Sequence, residues 1–123
     1  MRNIQRLGQS FRFAFRGIRF TWRQEQSFRV QVAVATVVVL LMIFLPTTKL
    51  ETVVLSFLIM AVLVMELLNS TLERIIDTLQ PRIHPFAQEV KDMMAAAVLI
   101  TAMGSLFVGI LIVGPYLLRL GGF

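Results

Sequence analysis

The stretch from Met93 to Leu118 contains no formally charged residue. A helix needs about 20 apolar residues to cross a hydrocarbon core roughly 30 Å thick, and this stretch exceeds that length. Val30 to Pro46 is interrupted only by Gln31 and Thr36, and Val53 to Met65 runs on through Leu67, Leu68 and Leu72. With their ends counted, both are also long enough to span. Such segments leave few folds open, because a backbone in lipid must satisfy its own hydrogen bonds, as helices do. The chain is expected to be an all-α membrane protein of 123 residues in a single domain. Its spans are placed at about 29–46, 52–72 and 93–118.

Composition agrees with that class. Hydrophobic residues make up 57% of the chain and charged residues only 15%, with a mean hydropathy of +0.79. The basic N-terminus is not followed by a short apolar region and a small-residue cleavage site, so no signal peptide is expected. With no cysteine in the chain, neither a disulfide framework nor a thiolate metal site can form.

The charge distribution predicts an orientation. Seven arginines (Arg2, Arg6, Arg12, Arg16, Arg19, Arg23, Arg29) precede the first span, against one acid, Glu25. Arg74, Arg82 and Lys91 lie between spans two and three, leaving only Lys49 and Arg119 for the other side. The positive-inside rule therefore places the N-terminus and the 73–92 segment in the cytoplasm.

Residues 4–27 read as an amphipathic helix on the membrane surface. Ile4, Leu7, Phe11, Phe15, Ile18 and Trp22 recur at helical spacing, and Arg12, Arg16, Arg19 and Arg23 form an adjacent basic stripe. Such a helix lies in the interface and attracts anionic headgroups. The plainer alternative is a basic flank that only sets topology. Basic and aromatic residues together also suit nucleic acid, but the adjoining spans argue against that partner.

The second apolar run leads directly into Glu66. Asn69, Glu73 and Asp77 follow at steps of three, four and four, which puts all four on one helix face. Ionisable groups in a membrane helix cost several kcal/mol by most estimates, about 2.5–3.5 kcal/mol at a helix centre on insertion scales. By default they mark a functional site. Lys91 and Asp92 stand just before span three, where backbone N–H groups and the helix dipole favour anions. That end, with Lys91 beside it, is a candidate phosphate site.

Glu25, Glu66, Glu73 and Asp77, with Asn69, Lys91 and Asp92, suit a hard cation and a polyphosphate. Mg²⁺ is usually held by one or two carboxylates together with substrate phosphates. Phosphoryl transfer asks of the protein mainly positioning, electrostatic stabilisation and a base near the nucleophile. There is no Walker A sequence, no GxGxxG and no kinase His-Arg-Asp motif, which excludes a soluble nucleotide-binding domain of those kinds.

Structural readings stand beside these. Glu73, Arg74, Asp77 and Asp92 could form a solvated, ion-paired helix end, and Glu66 and Asn69 could make interhelical hydrogen bonds. His84, between Pro81 and Pro85, reads as a loop histidine, and the seven methionines as apolar filler. Two other functional classes remain: a transporter with an ion site at Glu66, or a non-catalytic adaptor anchored by the basic helix.

Glu66-Leu67-Leu68-Asn69-Ser70-Thr71-Leu72-Glu73 with Asp77, then His84-Pro85, then Lys91-Asp92 before the alanines at 95–97, resembles the signature of the prokaryotic diacylglycerol kinase family. That family includes the undecaprenol kinases. Ser10-Phe11, Ala14-Phe15, Arg16-Gly17-Ile18-Arg19, Glu25 and Phe28-Arg29 match its N-terminal part, so the resemblance covers nearly the whole chain. Glu89, Val90 and Met93-Met94 depart from the pattern. The His84-Pro85-Phe86-Ala87 turn looks more like the undecaprenol kinase branch.

The resemblance implies an integral-membrane lipid kinase of the bacterial inner membrane, dependent on ATP and Mg²⁺ and working as a homotrimer. It implies Glu25 and Glu73 as metal ligands and Glu66 as the base or orienting group for the lipid hydroxyl. Asn69 would bind beside Glu66, and Arg16, Asp77, Lys91 and Asp92 would contact the nucleotide.

Overall fold

The computed structural model describes residues 2–79 and 84–122, with only the backbone described at His84. These residues form four helices: α1 (Arg2–Gln24), α2 (Gln26–Phe44), α3 (Lys49–Leu79) and α4 (His84–Leu120). Three of them, α2, α3 and α4, are long and apolar enough to cross a membrane. The chain is therefore an all-α, multi-pass membrane protein with an N-terminal amphipathic helix. The expected turn around Pro81 and Arg82 lies outside the described residues, as does the side chain of His84.

α1 ends at Gln24, three residues short of the expected 27. Glu25 alone adopts an extended conformation (φ −115°, ψ 110°), and α2 starts at the next residue. The hydrogen-bond ladder nearly survives the break, since the Glu25 N–H still donates to the Thr21 carbonyl at 2.8 Å. Neither proline nor glycine marks the spot, so periodicity could not locate a one-residue interruption. Ile4, Leu7, Phe11 and Phe15 project away from the rest of the chain, as an interfacial helix requires.

α3 has 31 residues and α4 has 37. At 1.5 Å per residue they are about 46 and 55 Å long, well beyond a 30 Å hydrocarbon core. α3 thus runs as one helix from its apolar part through the polar stripe to Leu79.

The start of α4 corrects one expectation. Lys91 and Asp92 were expected at a helix N-terminus, but α4 begins at His84, so both lie about two turns inside it. Pro85 permits this, because proline is tolerated in the first turn, where its missing N–H is not needed. The N–H groups without helical acceptors at the start of α4 belong to its first turn, about two turns before Lys91, and so do not meet an anion bound beside Lys91.

At the opposite end, Leu45, Leu55 and Val113 form a buried cluster supported by Met42, Leu58 and Ile112. Thr48 and Glu51 make a capping box at the start of α3. The Glu51 N–H donates to Thr48 Oγ1 (3.2 Å) and the Thr48 N–H to Glu51 Oε1 (2.9 Å). The Tyr116 hydroxyl also donates to Glu51 Oε1, at 2.5 Å, tying α4 to α3. Elsewhere the apolar surfaces of α2, α3 and α4 face mostly outward, with at most 11% of any span's apolar window buried within the chain. A surface of that kind is stable only in contact with lipid or other apolar helices.

Candidate functional site

The polar stripe of α3 passes from buried to exposed along its length. Glu66 is only 4% exposed, Asn69 and Glu73 are half-buried, and Asp77 is exposed. α2 lies directly against its buried end. Ser27 Oγ donates to Glu66 Oε1 at 2.5 Å, and Gln31 Nε2 donates to Glu66 Oε2 at 3.1 Å. Both oxygens of the carboxylate are thereby held by α2. This is the interhelical hydrogen bonding anticipated as the structural reading of Glu66, and it leaves acceptor capacity unused, because a carboxylate offers about four lone-pair directions.

Sequence reasoning missed Ser27 and Gln31. Gln31 appeared only as an interruption of the first apolar run. The available signal was its spacing of four from Ser27, which places two polar side chains on one face of an otherwise apolar helix.

One turn beyond Glu66, Asn69 Nδ2 donates a long hydrogen bond (3.4 Å) to Glu73 Oε1. Two turns further along, Lys91 Nζ donates to Asp77 Oδ1 at 2.5 Å, joining α4 to the stripe. The stripe therefore has partners from α2 at its buried end and from α4 at its exposed end. Asp92 is not drawn into this set; it accepts a hydrogen bond from Gln88 Nε2 within α4, at 2.8 Å.

α1 approaches α3 through an aromatic contact. The Arg74 guanidinium lies 4.3 Å from the centroid of the Phe20 ring, within the range of a cation–π interaction. Arg16, Arg19 and Arg23 line a shallow depression with Phe20, so the last turns of α1 carry three basic residues around the ring that Arg74 meets. Arg16 itself is positioned over Phe13, 5.7 Å from the ring centroid.

Glu25 occupies the break between α1 and α2, two residues before Ser27. Its carboxylate makes no hydrogen bond to the described residues. Among those residues, no group of three or more histidine, cysteine or acidic side chains is arranged to hold a metal ion. A divalent cation here would need oxygens from a substrate. Among the described residues Glu73 has only the long contact from Asn69, and the Glu25 carboxylate has none; free carboxylates of this kind are the donor type that Mg²⁺ takes beside substrate phosphates and water.

A groove of about 550 Å³ runs between α2, α3 and α4. Val34, Val38, Leu58, Val62 and Ile110 are among its lining residues, and Gln31 supplies one of its few polar groups. Gln31, which holds Glu66, is thus also a lining residue of an apolar space within the membrane-spanning part of the protein.

Residues 12–113 match the family described as "Prokaryotic diacylglycerol kinase". The chain is 33% identical to the undecaprenol kinase of Bacillus subtilis over 114 residues, covering 93% of both proteins. It is 33% identical to the diacylglycerol kinase of Helicobacter pylori over 119 residues, 97% of this chain and 90% of that one. The diacylglycerol kinase of Escherichia coli is 31% identical over 88 residues, 72% of each.

Proposed function

This chain belongs to the prokaryotic diacylglycerol kinase family, and we propose that it transfers the γ-phosphoryl group of ATP to the hydroxyl of a membrane lipid alcohol, undecaprenol or diacylglycerol. It is a lipid kinase, so the transporter and adaptor alternatives fall away. The observation that carries the site assignment is the buried Glu66, held by α2 at the head of a polar stripe that ends in the Asp77–Lys91 pair.

In this reading Glu66 accepts the proton of the lipid hydroxyl as that oxygen attacks the γ-phosphorus, and ADP departs as the P–O bond to it breaks. Asn69 steadies the reacting groups one turn away. Lys91 and Arg16 offset phosphate charge, and Asp77 and Asp92 orient the cationic and polar side chains that meet the nucleotide. Glu25 and Glu73 would hold Mg²⁺, which when bound neutralises charge on the phosphates. The lipid reaches Glu66 sideways from the bilayer while ATP approaches from the cytoplasm, the side on which the arginine count places the N-terminus. Assembly as a homotrimer in the bacterial inner membrane is carried by the family resemblance alone, since the apolar outer faces of α2, α3 and α4 suit lipid as well as further copies.

The test is direct. Purified protein in mixed micelles with γ-labelled ATP and Mg²⁺ should label undecaprenol, diacylglycerol or both, and removal of divalent ions by EDTA should abolish labelling. Wild-type protein that labels neither lipid, or labels one equally well in EDTA, would overturn the corresponding part of the proposal.

Lys91 gives a second expectation. Its partner Asp77 is well exposed, and exposed ion pairs contribute roughly 0–1 kcal/mol to stability. Lys91→Met should therefore leave the thermal unfolding midpoint nearly unchanged while raising the KM for ATP by at least about tenfold, the equivalent of about 1.4 kcal/mol of lost ATP binding. A KM at the wild-type value would remove Lys91 from the nucleotide site.

A further inference from the structure

We infer that Ser27 and Gln31 are positioning residues that hold the Glu66 carboxylate in the orientation needed to receive the lipid hydroxyl proton. The inference rests on the reading of Glu66 as the base. Its geometric foundation is that each donor takes a different oxygen of one carboxylate, Ser27 at Oε1 and Gln31 at Oε2. The two donors come from one face of α2, a single turn apart.

Such an arrangement fixes a torsion that would otherwise be loose. The last torsion of a glutamate side chain is sp³–sp² and broadly populated, so a carboxylate with a single partner can still swing. Two donors on different oxygens remove that freedom and leave the remaining lone pairs pointing in defined directions. General-base catalysis is sensitive to this, because the base must lie within hydrogen-bond reach of the proton it removes.

Gln31 also carries a cost that a merely structural residue would avoid. Its Oε1 is buried with no hydrogen-bond partner among the described residues, and an unmade hydrogen bond in such a place is unfavourable. Interhelical hydrogen bonds in a bilayer add little to helix association on average, so helix packing does not account for the amide. Methionine would fill the same volume without the orphaned carbonyl. An amide at this point makes physical sense if its N–H group serves the Glu66 carboxylate, beside the groove that Gln31 also borders. Ser27 complements it from the side of the α1–α2 break.

The experiment compares the full-length protein with variants that remove or keep each donor, assayed in mixed micelles with ATP and Mg²⁺ against undecaprenol and diacylglycerol. Ser27→Ala and Gln31→Met should each lower kcat by about tenfold, with the KM for ATP within about twofold of wild type. Ser27→Thr, which keeps the hydroxyl, and Gln31→His, which keeps an N–H donor of similar reach, should recover most of the loss. The double variant Ser27→Ala/Gln31→Met should fall no lower than Glu66→Gln.

Wild-type kcat in both Ser27→Ala and Gln31→Met would overturn the inference. So would a loss that the conserved-donor variants share, or one that is matched by a lower thermal midpoint, since both describe packing and not orientation. Glu66→Gln separates the two levels of the argument. If it is inactive while the Ser27 and Gln31 variants are normal, only the positioning role fails; if it is fully active, the reading of Glu66 as the base fails with it.

Discussion

Glu66→Gln should lower lipid phosphorylation by about 10²–10⁴-fold, the range typical for loss of a general base. The substitution keeps the length and shape of the side chain and one carbonyl oxygen to accept from Ser27, so packing against α2 should persist. It also removes an ionisable group from a site that is only 4% exposed, which a bilayer favours. The thermal midpoint should therefore hold or rise while turnover collapses. Measuring both on the same preparation separates chemistry from folding. Activity within about threefold of wild type would sink the assignment, and a collapse of the midpoint would recast Glu66 as a structural link between α2 and α3.

Loss of either metal-ligand candidate should appear first in the Mg²⁺ dependence. Glu25→Gln and Glu73→Gln should each raise the free Mg²⁺ needed for half-maximal activity by about tenfold or more, because Mg²⁺ sites of this kind rest on one or two carboxylates and the substrate phosphates. The double variant should stay inactive at any attainable Mg²⁺ concentration. Among the described residues the Glu25 carboxylate, in a one-residue break between two helices, has no hydrogen-bond partner, and Glu73 engages only a long 3.4 Å contact from Asn69. Among the described residues, neither carboxylate has a structural partnership whose loss would explain a large effect. Initial rates measured against free Mg²⁺ at fixed ATP decide the matter. Wild-type Mg²⁺ curves in both single variants would remove the pair from the metal site.

Much of the architecture was legible in local pattern. The uncharged run from Met93 to Leu118 and the two shorter apolar runs announced three spans, because helix length and hydrocarbon thickness are tied by a fixed rise per residue. The apolar residues from Ile4 to Trp22 announced α1 for the same kind of reason, a recurring helical period. Helix ends were less legible. Proline at 85 looked like a turn but sits in the first turn of α4, and the break at Glu25 involves a residue with no special backbone preference.

The candidate site divides along the same line. Sequence by itself determined that Glu66, Asn69, Glu73 and Asp77 share one face, since helical geometry relates residues three and four apart without help from the rest of the chain. Only the tertiary structure decided what meets that face. Ser27 and Gln31 stand 39 and 35 residues from Glu66, and Lys91 stands 14 from Asp77 across the connection between α3 and α4. Those meetings depend on which sides of α2, α3 and α4 pack together, and nearly uniform apolar spans carry little periodic signal to specify that. The intramolecular hydrogen bonds that turn an isolated carboxylate into an oriented one are therefore a property of the packed bundle.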